Sequence, residues 1–153
     1  MPKIFNQKGI TIIEILFVIG IIVIIFMVVT PSFGRFRQVQ MLKTTSQDVV
    51  SALDKARGNA LASVDSSEYG VHFQSDKIVI FKGTVYPSLN PNNENINIIS
   101  PATISNINLS GGGSEVYFNR LSGAPNKTGM ITVSVSSDSK IITISATGAS
   151  SAD

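Results

Sequence analysis

A single acidic side chain, Glu14, lies inside the most apolar stretch of this sequence. Of the 20 residues Ile10–Val29, 17 are hydrophobic, and the exceptions are Thr11, Glu14 and Gly20. A carboxylate inside a membrane-spanning segment costs about 2.5–3.5 kcal/mol or more unless a cation pairs with it. The stretch contains no Lys, Arg or His. We therefore expect the cation that pairs with Glu14 to come from another chain or from a newly formed N-terminal amine.

Other residue types that carry chemistry are few. The chain has no cysteine and a single histidine, His72, which excludes thiolate sites, disulfides and histidine-rich metal clusters. The triple glycine at 111–113 neither follows a clear strand nor opens a helix, as a phosphate-binding loop requires. The sequence locates no partners for a Ser/His/Asp site around His72. We predict a protein that is not an enzyme and that has no metal site and no cofactor.

The apolar stretch is long enough to cross a bilayer, because 20 helical residues rise about 30 Å. A secretory signal peptide has an apolar core of only about 7–15 residues and ends at a small-x-small site, which the residues Val28–Pro31 do not offer. Basic residues stand on both sides, with Lys3 and Lys8 before the span and Arg35 and Arg37 after it. Charge alone therefore does not fix the orientation of the span.

The stretch from Lys8 to Leu16 resembles the processing site of type IV pilins and of the pseudopilins of type II secretion. In that family a short basic leader ends in Gly, a membrane peptidase cuts after it, and the new N-terminus is methylated. A Glu at the fifth mature position then compensates the amine of a neighbouring subunit. The resemblance implies cleavage between Gly9 and Ile10, methylation at Ile10 and an assembly role for Glu14. Ile10 departs from the Phe or Met that the family prefers.

The same resemblance implies the partners. These are a prepilin peptidase/N-methyltransferase, other pilin or pseudopilin subunits, an inner-membrane assembly platform, and membrane lipid before assembly. Lys3 and Lys8 supply the charge of the leader. Pro31 falls where many type IV pilins have a helix kink, and Gly20 is a second weak point in the helix. A lone membrane-anchored binding module, an alternative from another class, needs neither Glu14 nor cleavage after a glycine.

The elements that would position these residues follow from the hydrophobic period. Apolar residues at spacings of three, four and seven predict one continuous helix from about Ile10 to Ser63. This stripe consists of Val39, Leu42, Val49, Val50, Leu53, Ala56, Ala60, Leu61 and Val64. We predict an α+β, pilin-like fold, in which the C-terminal half of a long N-terminal helix packs on an antiparallel β-sheet body. The predicted segments are a leader at 1–9, a membrane or filament-core half-helix at 10–30, an amphipathic half-helix at 31–66 and the β body at 67–153.

Beyond Tyr69 the period changes to two and turn residues multiply, which is typical of antiparallel strands. The predicted strands are Tyr69–Phe73, Lys77–Lys82, Val85–Leu89, Ile96–Ile99, Ile104–Leu109, Glu115–Arg120, Met130–Ser136 and Lys140–Ala146. The turn residues 74–76 and 137–139 predict a hairpin each. The stretches Val116–Pro125 and Ile142–Gly148 resemble parts of the minor H-class (GspH/FimT-like) subunits.

The resemblance implies a subunit of a type II secretion pseudopilus or a type IV pilus. The class favours a minor or tip subunit over a major pilin. Its location would be the bacterial inner membrane, as a single-pass protein with its body outside the cytoplasm, and later a periplasmic or surface filament. A DNA-binding minor pilin of natural transformation is the alternative. DNA is not favoured as a partner, because no Lys or Arg follows Lys140, although Arg120, Lys127 and Lys140 leave a basic cluster open.

The charge of the chain also depends on the leader. The full sequence carries a formal net charge of +2, with 12 basic and 10 acidic residues. Removal of Lys3 and Lys8 would leave equal numbers of basic and acidic side chains. A balanced charge of this kind differs from the strongly basic surface of a dedicated nucleic-acid binder.

Overall fold

The computed structural model of the protein describes residues 9–153, and it gives only the backbone at positions 30–32. The chain divides into two compact units, one ending at Arg37 and the other comprising Gln38–Asp153. Helix α1, Ile12–Leu61, is followed by a short 3-10 turn, Val64–Ser66, and by eight strands in the part described. The strands are β1 (Tyr69–Phe73), β2 (Lys77–Lys82), β3 (Glu94–Asn97), β4 (Ala102–Leu109), β5 (Glu115–Phe118), β6 (Gly129–Val135), β7 (Asp138–Ile144) and β8 (Ser150–Ala152).

The part of α1 within the second unit is amphipathic, as the sequence predicts. Spacings of three, four and seven residues place its buried side chains on one face of the helix. This face is formed by Leu42, Val49, Leu53, Ala56 and Ala60. The predicted stripe is wrong at its ends, because Val39, Leu61 and Val64 are exposed. Val64 lies beyond the helix, where the helical period no longer determines which side of the chain is buried.

Helix α1 ends at Leu61, two residues before the predicted end. Ser63 has a left-handed backbone with φ of 53°, which takes the chain out of the helix. The carbonyl oxygen of Ala60 accepts a hydrogen bond of 2.9 Å from the backbone N–H of Leu121. A helix end leaves its last carbonyl groups without an intrahelical partner. The β body supplies a hydrogen-bond donor to one of them, the carbonyl of Ala60.

The first sheet has four antiparallel strands in the order β3-β2-β1-β5. The hairpin of β1 and β2 has the predicted bounds, and Tyr69 pairs with Lys82 at its open end. Strand β5 pairs with the other edge of β1 and ends at Phe118 instead of the predicted Arg120. Residue 119 leaves the sheet because its N–H bonds to the carbonyl oxygen of Ala124, which closes a local turn.

Two predictions in this sheet are wrong. The predicted strand Val85–Leu89 belongs to an irregular connection between β2 and β3. Pro87 lacks a backbone N–H, and the ring of Tyr86 packs on the sheet, so this segment covers the sheet and adds no strand to it. The predicted strand Ile96–Ile99 is shifted toward the N-terminus and becomes β3, which pairs with β2.

The second sheet is also antiparallel, with the order β4-β6-β7-β8. The predicted hairpin of β6 and β7 is present, but both strands begin and end one or two residues earlier than predicted. Its turn is the pair Ser136–Ser137, with φ of 55° at Ser136. Strand β8 is an addition that the sequence reading did not contain, and it pairs with β7 through Ile142 and Ala152.

The main core lies between the amphipathic face of α1 and the inner faces of the two sheets. Its largest fully buried side chains on the strands include Phe73, Ile78, Phe118, Ile131 and Ile142. Because the long helix packs by its C-terminal half on antiparallel sheets, the α+β prediction is confirmed. The body consists of two sheets of four strands, where the sequence reading had one sheet.

A smaller apolar cluster covers the opposite face of the first sheet. Val79 and Phe81 of β2 are fully buried there and do not belong to the main core. The ring of Phe81 lies directly over Gly70, and a Cβ at that position would overlap it. The ring of Tyr86 packs against Phe81 with centroids 5.7 Å apart. Gly70 is therefore required by the close approach of an aromatic ring to the strand.

Candidate functional site

The predicted cleavage position lies just before the helix. Gly9 and Ile10 have no regular secondary structure and are exposed, and α1 begins at Ile12. Exposed, non-helical backbone is the kind of segment in which proteases cut. The bond between Gly9 and Ile10 is therefore accessible. Lys3 and Lys8, the residues of the predicted leader, lie outside the described residues.

Thr11 caps the N-terminus of α1, and Glu14 lies in its first turn. The backbone N–H of Glu14 approaches both oxygens of Thr11, with 3.1 Å to the carbonyl oxygen and 3.3 Å to Oγ1. An acidic side chain in the first turn also interacts favourably with the helix dipole. Sequence reasoning missed this role, although the pattern Thr-x-x-Glu from Thr11 to Glu14 is the sequence signal of a capping box.

The Glu14 carboxylate is exposed and makes no ion pair with any residue from 9 to 153. The apolar side chains around it and after it, from Ile12 to Val29, are exposed on all sides of the helix. Helix α1 contains an 18-residue window with a mean hydropathy of 3.3, and by length and composition it is able to cross a membrane. Among residues 9–153, Glu14 is thus a carboxylate without an ion-pair partner, at one end of a segment whose apolar side chains are exposed.

The two predicted kink positions lie within α1. The helix is assigned through Gly20 and through the backbone of Pro31. A Cβ at Gly20 would meet no atom within 4 Å, so no contact among the described residues requires a glycine there. Local bending at these positions stays a prediction about the assembled state.

His72 lies on the outer face of the first sheet and not in a catalytic arrangement. Its ring stacks on Tyr86 with centroids 4.0 Å apart and planes 9° from parallel. Its Nδ1 lies 3.7 Å from Oε2 of Glu115 and has no hydrogen bond. Burial lowers the pKa of His72, the carboxylate of Glu115 opposes this, and the ammonium of Lys77 adds to it. The imidazole is packed between the sheet and a tyrosine ring, where burial favours its neutral form.

The three basic residues considered for DNA binding lie in different parts of the body. Arg120 donates to the carbonyl oxygen of Ser66, and Lys127 donates to that of Gly112. Lys140 lies on β7 opposite Val133. Arg120 and Lys127 therefore hold turns of the body, and no contact in the described chain joins the three residues into one patch.

Acidic residues in the body are paired or dispersed. Lys55 of α1 bonds to both carboxylate oxygens of Glu94 at 2.7 Å, and Lys82 lies 3.2 Å from Asp65. Burial raises the pKa of Tyr69, whose hydroxyl lies 3.4 Å from Asp65, and this carboxylate raises the pKa further. Within residues 9–153, no three His, Asp or Glu side chains are grouped so that they could hold a metal ion.

Comparison of the chain with protein-family models, with curated proteins and with solved structures gives no match.

Proposed function

We propose that this protein is a non-enzymatic, pilin-like subunit of a type II secretion pseudopilus or a type IV pilus. It is cut after Gly9, inserts in the bacterial inner membrane through the apolar part of α1, and assembles into a filament by the same segment. The body lies outside the cytoplasm before assembly and in a periplasmic or surface filament afterwards. Its partners are the prepilin peptidase/N-methyltransferase, neighbouring subunits, the assembly platform and membrane lipid.

One observation carries the proposal. An accessible glycyl bond, Gly9–Ile10, stands one residue before the cap of a 50-residue helix, and Glu14 in its first turn has no ion-pair partner among residues 9–153. The first part of this helix is apolar on all sides, and its last part packs on antiparallel sheets. A plain anchor explains the apolar length but neither the accessible glycyl bond nor the position of the carboxylate.

The physical chemistry of Glu14 links the membrane to the filament. In lipid, an unpaired carboxylate is costly. Cleavage creates an amine at Ile10, and the protonated amine of an adjacent subunit neutralises the carboxylate when two helices pack together. A buried ion pair that lacks one partner leaves an uncompensated charge, which is strongly unfavourable. The pairing of Glu14 with the amine of the adjacent subunit therefore favours a fixed axial register between subunits.

Processing by a purified prepilin peptidase tests the proposal directly. The full chain in detergent is incubated with the enzyme and its mass is measured. We expect the loss of the first nine residues, and no loss from Gly9→Val. A wild-type chain that the enzyme leaves intact would contradict the proposal.

Minor and major subunits differ in the amount incorporated. The H-class resemblance favours a minor or tip subunit. Quantitative mass spectrometry of sheared filaments is expected to find this chain at a small fraction of the abundance of the main subunit. Equal or greater abundance would assign it as a major pilin.

DNA binding in natural transformation is the second candidate, and Arg120, Lys127 and Lys140 are the residues that would contact phosphate. Phosphate contacts give an affinity that falls steeply with salt. The DNA candidate predicts retention of duplex DNA at low salt and release at high salt. Retention that Arg120→Gln, Lys127→Gln and Lys140→Gln together abolish would support it, and absence of salt-sensitive retention would exclude it.

A further inference from the structure

A strap of irregular chain, residues 83–93, connects β2 to β3 and lies over the outer face of the first sheet. In the described chain, Tyr86 makes the ring contacts between this strap and the sheet. Its ring is stacked on His72 of β1 with centroids 4.0 Å apart, and it is tilted against Phe81 of β2 at 5.7 Å. Leu89 of the same strap is 96% exposed and packs on nothing. The attachment of the strap to the sheet therefore depends largely on one tyrosine ring.

The closed strap leaves polar atoms buried without a hydrogen bond. Within residues 9–153, these atoms are Nδ1 of His72 and Oδ1 of Asn93, which is the last residue of the strap. The Nδ2 of Asn93 donates to the carbonyl oxygen of Pro87 at 2.6 Å, so the strap is folded on itself. Buried polar atoms normally have partners, and an atom without one is costly. A strap that lifts from the sheet lets water bond to these atoms, so its opening relieves part of this cost.

Groups on three elements act on the charge of His72. Burial lowers its pKa, and the ring of Tyr86 on the strap supplies part of that burial. The carboxylate of Glu115 on β5 opposes this, although its Oε2 lies 3.7 Å from Nδ1, which is too far for a hydrogen bond. The ammonium of Lys77 on β2 disfavours the protonated ring. A lifted strap returns the ring to water and leaves it beside Glu115, so the open form binds a proton more readily than the closed form.

We propose that the strap is an acid-sensitive cover over the smaller apolar cluster of the first sheet. At neutral pH the imidazole of His72 is uncharged, and Tyr86 closes the strap on it. Protonation of His72 favours the lifted strap, in which Val79 and Phe81 lose their cover. The main core stays intact, because these two side chains do not belong to it. This inference does not depend on the proposed filament function.

An introduced cysteine measures the opening of the strap, because the chain contains no cysteine of its own. Val79 is fully buried and pairs with His72 across β1 and β2, so Val79→Cys reacts with a pyridyl disulfide only when its cover lifts. Ser75→Cys, in the exposed turn of the same hairpin, corrects for the effect of pH on thiol reactivity. The full chain is labelled in a neutral detergent.

The ratio of the two labelling rates is expected to rise as the pH falls. Because one proton changes an opening equilibrium by at most about tenfold per pH unit, the rise between pH 7.5 and pH 5.5 cannot exceed about 100-fold. We expect a rise of at least about threefold within this limit. A ratio that does not change with pH would overturn the proposal.

Variants of His72 and of its two charged neighbours separate its protonation from general effects of acid. His72→Phe keeps an aromatic ring beneath Tyr86 but cannot titrate, and it is expected to make the labelling ratio independent of pH. Glu115→Gln removes the charge that favours the protonated ring and is expected to shift the rise to lower pH. Lys77→Gln removes the charge that disfavours it and is expected to shift the rise to higher pH. A rise that survives in His72→Phe would overturn the proposal, as would shifts in the reverse directions.

A cysteine in the main core distinguishes local opening from unfolding of the body. Val133 of β6 is fully buried there, and Val133→Cys is expected to stay unlabelled at both pH values. Labelling of Val133→Cys in step with Val79→Cys would show that acid unfolds the body as a whole, and it would overturn the proposal. Tyr86→Ala removes the ring that attaches the strap, so Val79→Cys/Tyr86→Ala is expected to react rapidly at both pH values. Slow labelling of this double variant at pH 7.5 would also overturn the proposal, because Tyr86 would then not hold the cover.

Discussion

The side-chain oxygen of Thr11 accepts a hydrogen bond from the backbone N–H of Glu14 over 3.3 Å. An acidic residue three positions after a capping Thr stabilises a helix N-terminus. Glu14 therefore has a stabilising role within its own helix. The proposed assembly role requires more of Glu14, namely a negative charge that another subunit neutralises. The two roles are separable by substitution.

Replacement of Glu14 by Gln tests the assembly role. Gln retains the shape of the side chain and its suitability at this position of a capping box, but it cannot pair with an ammonium group as an ion. We expect Glu14→Gln and Glu14→Ala to insert in the membrane as wild type does and to be missing from sheared filaments. Fractionation followed by immunoblotting measures both quantities.

Thr11→Ala is the matched control for that experiment. Loss of the cap destabilises the helix N-terminus by about 1 kcal/mol but leaves the charge of Glu14 unchanged. This variant is expected to enter filaments. Incorporation of Glu14→Gln at the wild-type level, or loss of Thr11→Ala together with it, would show that Glu14 serves the helix alone.

Arg57 connects α1 to two loops of the body. Its Nε donates to the carbonyl oxygen of Gly123 at 3.3 Å, and its Nη2 donates to that of Thr147 at 3.1 Å. Hydrogen bonds from a charged donor are worth about 1.5–3 kcal/mol each, and less where water reaches them. We expect Arg57→Ala to lower the free energy of unfolding of residues 38–153 by about 1–2 kcal/mol in urea titrations. Lys43→Ala, at an exposed position of the same helix, is expected to change it by under about 0.5 kcal/mol.

Replacement of glycine by alanine is expected to have opposite effects on stability at Gly70 and at Gly58. At Gly70 an added Cβ overlaps the ring of Phe81, and overpacking of this kind costs about 1–3 kcal/mol. At Gly58 an added Cβ meets no atom within 4 Å, and the position is inside α1, where Ala is favoured by up to about 1 kcal/mol. Thermal unfolding is expected to show Gly70→Ala below wild type and Gly58→Ala above it. The reverse order would contradict the packing described for the outer face of the first sheet.

His72 predicts a pH dependence of stability. Burial lowers its pKa in the folded chain below the ordinary value of 6.5, so the unfolded chain binds more protons in the interval between the two values. Stability therefore falls as the pH decreases below about 6.5 and through the folded pKa, and it is regained as the pH rises. Urea unfolding at pH 7.5 and pH 5.5 is expected to show a smaller difference for His72→Phe than for wild type. An equal difference would assign the pH dependence to the carboxylates.

The helix and the hairpins follow directly from the sequence, for a local reason. A period of 3.6 in α1 and a period of two in β1 and β2 are properties of neighbouring residues, and the turn at 74–76 fixes the register of the first hairpin. Strand β8 has no such signal, because Ser150–Ala152 is short and polar and is a strand only through its pairing with β7. The division of the body into two sheets likewise depends on pairing between distant residues.

In the irregular segment after β2, the sequence predicts a strand where none forms. Val85–Leu89 has the composition of a strand, but Tyr86 stacks on His72, and Val85 and Leu89 are exposed. The roles of Gly9, Ile10 and Glu14 are predicted from residue type and spacing alone, and they stay predictions. The cap by Thr11 has an equally local signal, the Thr-x-x-Glu spacing from Thr11 to Glu14.

The N-terminus of the protein recovered from cells that contain a prepilin peptidase is the most direct test of the central claim. Mass spectrometry of the intact chain and of its N-terminal peptide measures where the protein begins and whether the amine is methylated. We expect a chain that begins at Ile10, and a Gly9→Val chain that still begins with its leader. A wild-type protein that retains Met1 and the residues up to Gly9, or one that is cut at another bond, would contradict it.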